Sequence, residues 1–171
     1  MAHATIRSIP HAKDIDRLHG IIKGLIGQGC WKVAFSYGGE LHLHFGARIP
    51  CNHPKMAGEF EGEWIFSTCG TGWVLQTRKG TIGSTERTDT NEDQLERKIK
   101  ASLAGGRVSG LDGGKILSLA FSSGCRFCVM PTAADDNYEN VPYWELFLPN
   151  HMMIAFGPGN KWSFKRSDLP T

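Results

Sequence analysis

Apolar positions recur at two different periods along this chain. Leu18, Ile22 and Ile26 stand four residues apart, and so do Leu95, Ile99 and Leu103, each 77 residues further on. A four-residue spacing draws one apolar stripe down a helix. The segments are Asp14–Gly29 and Asn91–Gly106; both open on acidic or amide residues suited to a helix start and close on glycines suited to its end. Thr90 is a candidate N-cap for the second, with Asp93 three residues on.

After each stripe the period drops to two. Tyr37-Gly38-Gly39 leads into Leu41-His42-Leu43-His44-Phe45, and Asp112-Gly113-Gly114 leads into Leu117-Ser118-Leu119-Ala120-Phe121. A glycine-rich turn before alternating residues is a hairpin signal, because glycine supplies positive φ and alternation sends one set of side chains into a core. Gly62-Glu63-Trp64-Ile65-Phe66 then matches Pro142-Tyr143-Trp144-Glu145-Leu146-Phe147, and each reaches a further strand, Trp73–Leu75 or Met152–Phe156.

The pattern predicts an α+β protein: a tandem repeat of one helix followed by an antiparallel meander of four or five strands. The halves are residues 1–84 and 85–171, packed as one unit because neither has enough apolar residues to fill a core alone. Residues 80–90 read as a polar linking loop. Whether the halves share a sheet is left open by the pattern.

The string Gly62-Glu63-Trp64, after the Gly-Gly turn and a strand ending in Phe45-Gly46, resembles small bacterial proteins of unknown function, similar in style to the immunity proteins that neutralise toxins. The likeness covers mostly residues 20 to 80. It implies a protein partner and carries over no catalytic residue.

Composition narrows the field. The 171 residues include 21 glycines, about 12% against a usual 7% or so, and the net charge is +2. So small a charge gives no basis for predicting nucleic-acid binding. No apolar run approaches the 18 or so residues of a spanning helix. The first residues, with His3, Arg7, His11, Lys13 and Asp14, do not read as a secretory signal. A cytoplasmic protein with five reduced cysteines is the expectation.

Several groups invite chemistry. Strand alternation puts His42 and His44 on one face, opposite the leucines, and with His53 they make a candidate metal set. Cys125-Arg126-Phe127-Cys128 has the spacing of zinc knuckles and redox dithiols, but has no second pair and lies in a predicted strand, which favours two small buried residues. Cys51 and His53 are too local to form a nucleophile and its base. No phosphate-binding glycine loop is present. Lys161, Lys165 and Arg166 interleave with Trp162 and Phe164, a pattern that grips single strands or simply marks a final strand. Asp135, Asp136 and Glu139 form an acidic loop suited to a basic protein surface. Trp64 and Trp144 are expected in the core.

With no catalytic constellation, the sequence points to a non-enzymatic binding protein, an inhibitor or immunity-type factor without a cofactor that blocks a partner protein. The alternative is a metal or small-ligand site on His42, His44 and His53.

Overall fold

The computed structural model describes residues 5–8, 12–84, 91–113 and 116–168. It is an α+β structure with two helices, α1 (Ala12–Ile22) and α2 (Glu92–Leu103), and two antiparallel sheets. The strands are β1 (Thr5–Ser8), β2 (Cys30–Phe35), β3 (Leu41–Pro50), β4 (Phe60–Thr68), β5 (Trp73–Thr77), β6 (Gly80–Gly83), β7 (Val108–Asp112), β8 (Ser118–Phe121), β9 (Arg126–Val129), β10 (Trp144–Leu148), β11 (Met152–Gly157) and β12 (Lys161–Arg166). The expected linking loop, residues 80–90, begins instead as a strand: Gly80–Gly83 form β6 and pair with β5. Thr90, Gly114 and the rest of that segment, residues 85–90, lie outside the described residues.

The large sheet runs β1-β12-β11-β10-β4-β3-β2 and the small one β6-β5-β9-β8-β7. The chain therefore changes sheet after β4 and changes back after β9. Both sheets draw strands from before and after α2, joined where β1 pairs with β12, β10 with β4 and β5 with β9. Alternation sends Leu41, Leu43 and Phe45 of β3 and Leu119 and Phe121 of β8 into one continuous core. The sheets meet through Phe45 on Phe121, ring centroids 6.4 Å apart, and Phe66 edge-on to Phe127 at 5.6 Å. Trp64, Trp73, Trp144 and Trp162 all belong to that core.

The helices flank the sheets. In α2 the stripe Leu95, Ile99 and Leu103 is fully buried. Its N-cap is Asn91, whose Oδ1 accepts the Asp93 N–H at 2.8 Å, and Gly105 follows its end at φ 75°. The helix lies along β2, where Glu96 Oε1 accepts the Phe35 N–H at 2.8 Å. That occupies a donor on the open edge of the large sheet, a position otherwise free to pair with another chain.

The stripe of α1 departs from the expected one. Leu18 and Ile22 are buried, but Ile26 is 48% exposed and Leu25 takes its place. The helix ends at Ile22 and tightens into a 3-10 turn over Lys23–Leu25, so the third apolar residue arrives three positions on rather than four. Gly24 permits this turn: a Cβ there would lie 2.9 Å from the Trp64 ring. His19 Nε2 then bonds the Gly113 carbonyl at 3.2 Å, tying α1 to the end of β7.

Candidate functional site

The outer face of the large sheet carries a groove of about 710 Å³ that holds His42 and His44. Register builds its floor. One rung sets Lys32, His44, Ile65 and Phe147 side by side; the next begins with Ala34 and His42 and continues outside the groove through Ser67 and Glu145. One wall is the long β3–β4 hairpin, contributing Ile49, Cys51 and Met56. The other is the β10–β11 turn, where Asn150 and His151 hold φ 68° and 56°.

His42 and His44 share this face, as alternation requires, but they are not ordinary surface groups. His44 is only 7% exposed, and its Nδ1 accepts the Gly62 N–H at 3.0 Å. The bond exists because β3 bulges between Phe45 and Arg48, which breaks the ladder beside Gly62. An accepting Nδ1 fixes the neutral imidazole with its proton on Nε2. Burial, with Lys32 and then His42 nearby, holds the His44 pKa down at about 4. His42 Nδ1 bonds Ser67 Oγ at 2.6 Å, and burial lowers its pKa as well, against the opposing charge of Glu40. Opposite Ser67, burial raises the Glu145 carboxyl while Lys165 opposes it.

This arrangement suits packing and recognition better than ligation. To bind a metal through Nε2, His44 would need its proton on Nδ1, where Gly62 already donates. His53 Nδ1 is likewise occupied, accepting the Lys55 N–H at 3.2 Å in the hairpin turn. Among the described residues, no three His, Cys, Asp or Glu side chains converge to hold a metal ion.

The other predicted groups are dispersed. Cys125 is buried with its Sγ toward the Ser102 carbonyl, whereas Cys128 points toward Ser118 Oγ on the other side of β9. Three positions apart on a strand means opposite faces, so the pair forms no dithiol. In the acidic loop, Asp135 accepts the Thr132 N–H at 2.6 Å and its hydroxyl at 2.9 Å, and Asp136 accepts the Tyr143 O–H. These three bonds hold the loop in shape; Glu139 is exposed. On β12, Trp162 and Phe164 face the core and Arg166 pairs with Asp168, so the aromatic and basic side chains do not form one surface.

Lys32, Glu61, Glu63, Ile65 and Phe147 also line the groove and were not named as site residues from the sequence. The available signal was apolar side chains at outward positions: Ile65 and Phe147 alternate with core residues yet are neither charged nor small. Beside the groove, the Arg48 guanidinium stacks 4.7 Å from the Trp31 ring, whose own neighbour is His44.

Comparison with known proteins finds no family model, curated relative or solved structure that matches this chain. Among the described residues, no helix is long and apolar enough to cross a membrane.

Proposed function

We propose that this chain is a non-enzymatic binding protein, an inhibitor or immunity-type factor, and that its groove takes a segment of a partner protein. One observation carries the reading: Ile65 and Phe147 form an apolar strip on an outward sheet face, between the walls of a preformed groove. Apolar pairs in a concave setting with charged rims, here Lys32, Glu61 and Glu63, are what protein recognition uses. The histidines beside them are committed to fixed hydrogen bonds rather than poised for proton transfer. The groove replaces the acidic loop as the contact surface, since two of its three carboxylates serve the loop itself.

We also read the chain as a duplicated unit of helix plus strands. In support, the β2–β3 and β7–β8 hairpins bulge at matching places, between Cys30 and Lys32 and between Val108 and Gly110. Trp73 and Leu75 face Val129 and Phe127 in one sheet as Trp144 and Leu146 face Thr68 and Phe66 in the other. This register matches Trp144 with Trp73 rather than with Trp64.

The test is affinity capture from the native host with the parent and with Phe147→Glu and Ile49→Glu variants of unchanged circular dichroism. A stoichiometric partner retained by the parent and lost by both variants is the expected result. Capture unaffected by either variant, or no partner at all, would overturn the groove reading.

A further inference from the structure

A second cavity, of about 480 Å³, opens on another side of the molecule. Three elements meet there: the β5–β6 turn with Arg78 and Lys79, the last two turns of α2 with Lys98 and Ser102, and the β8–β9 turn with Ser123. Every charged side chain among its described lining residues is a cation. Arg78 and Lys79 make no ion pair with an acidic group among the described residues.

Local geometry holds one of these cations in place. Gly124 sits at φ 87° in the β8–β9 turn, and a Cβ there would come within 3.2 Å of Arg78 Nε and 3.6 Å of a terminal guanidinium nitrogen. The guanidinium therefore packs against a glycine that leaves it room, next in the chain to Ser123. The Ser123 hydroxyl is buried and has no hydrogen-bond partner. That hydroxyl faces Gly106, where a Cβ would lie 2.8 Å from it, so the anion preference of the cavity comes from its basic side chains, with no acidic group among the described lining residues. Apolar Ile82 and Ala101 line the same cavity.

We propose that this pocket binds a small phosphorylated molecule, its phosphate held by Arg78 and Lys79 and its body resting on Ile82 and Ala101. The planar guanidinium matches a phosphate edge with two parallel N–H donors, which a lysine cannot do. The volume falls in the range of small-ligand pockets, roughly 300–1,000 Å³. The site is separate from the sheet groove and does not depend on what the groove binds.

The test is titration of the isotope-labelled full chain with inorganic phosphate, phenyl phosphate and a short single-stranded oligonucleotide, followed by amide NMR shifts. Phenyl phosphate is expected to shift Arg78, Ser123 and Gly124 amides and to bind more tightly than inorganic phosphate. Arg78→Ala should weaken it about tenfold or more, and Arg78→Lys should recover only part of the loss. Lys79→Ala, at an exposed turn position, tests the same site if Arg78→Ala fails to fold. Three results would overturn the proposal: no shifts at these amides, equal affinity for the two phosphates (a free-phosphate site), or binding of the oligonucleotide alone.

Discussion

Gly62 has no room for a side chain. A Cβ there would lie 2.6 Å from the Trp64 carbonyl oxygen and 2.7 Å from the Phe45 nitrogen, both backbone atoms that cannot swing aside. Its N–H, freed from the ladder by the β3 bulge, goes to His44 instead. Replacing His44 with alanine would strand that donor in a buried place, at a cost of about 1–3 kcal/mol. Protonating His44 does the same, because the proton needs the lone pair that Gly62 uses. Burial, then the charges of Lys32 and His42 nearby, hold the folded pKa at about 4 against an ordinary 6.5, so the folded protein binds this proton more weakly than the unfolded chain. The resulting stability is fully present above pH 6.5 and is lost progressively as pH falls toward 4, by an amount on the order of 3 kcal/mol. His44→Asn keeps an acceptor near the Nδ1 position and cannot titrate. Urea unfolding of the parent at pH 7 and pH 4.5 should show a steeper fall than the same pair of measurements on His44→Asn; equal falls would remove His44 from the pH response. Trp144, fully buried and stacked on Phe156 with centroids 5.6 Å apart, should cost about 3–5 kcal/mol when changed to alanine, and Trp64 a similar amount. A loss under 1 kcal/mol at either would place that ring outside the core.

At the level of the element, the two helices differ in how they end, and this separates neighbouring residues sharply. Leu25→Ala should destabilise by about 2–5 kcal/mol, whereas Ile26→Ala, half-exposed beyond the 3-10 turn, should stay within about 0.5 kcal/mol. Thermal denaturation of the two variants side by side checks this; equal losses would mean that the α-helical period continues through Ile26. The apolar stripes and the alternating strands were legible in the sequence because burial imposes them directly. The tightening after Ile22 was not, since it depends on Trp64 lying over Gly24, a contact between residues 40 positions apart. The same reason hid the groove. Ile65, Phe147 and His44 come from three strands, and only the pairing register of β3, β4 and β10 makes them neighbours. Cys125 and Cys128 read from the sequence as two small buried residues; Cys125 is buried, but Cys128 is only half-buried, because the strand period turns it to the other face.

For the whole molecule, the decisive feature is that neither sheet is built from one side of α2. Cutting the chain between residues 84 and 88 would leave β1 to β4 without β10 to β12, and β5 and β6 without β7 to β9. The strands that lose a partner would be β1, β4 and β5 in one fragment and β12, β10 and β9 in the other. Those strands carry Phe66, Leu75, Leu146 and Phe127 at the centre of the core. The helices would be separated as well, for α2 caps β2 and α1 is bonded to Gly113. A fragment of about 85 residues could hold a modest core of its own, but these would lose the apolar faces that their strands were shaped to meet. Each fragment alone is therefore expected to lack a cooperative thermal transition and to expose dye-binding apolar surface. Mixing them at equal concentration should restore the near-ultraviolet signal of the packed tryptophans and a single transition whose midpoint rises with concentration, as mass action requires of a two-chain assembly. If each fragment alone melts cooperatively near the midpoint of the intact protein, the two parts are independent domains, and the strand pairing across them is dispensable.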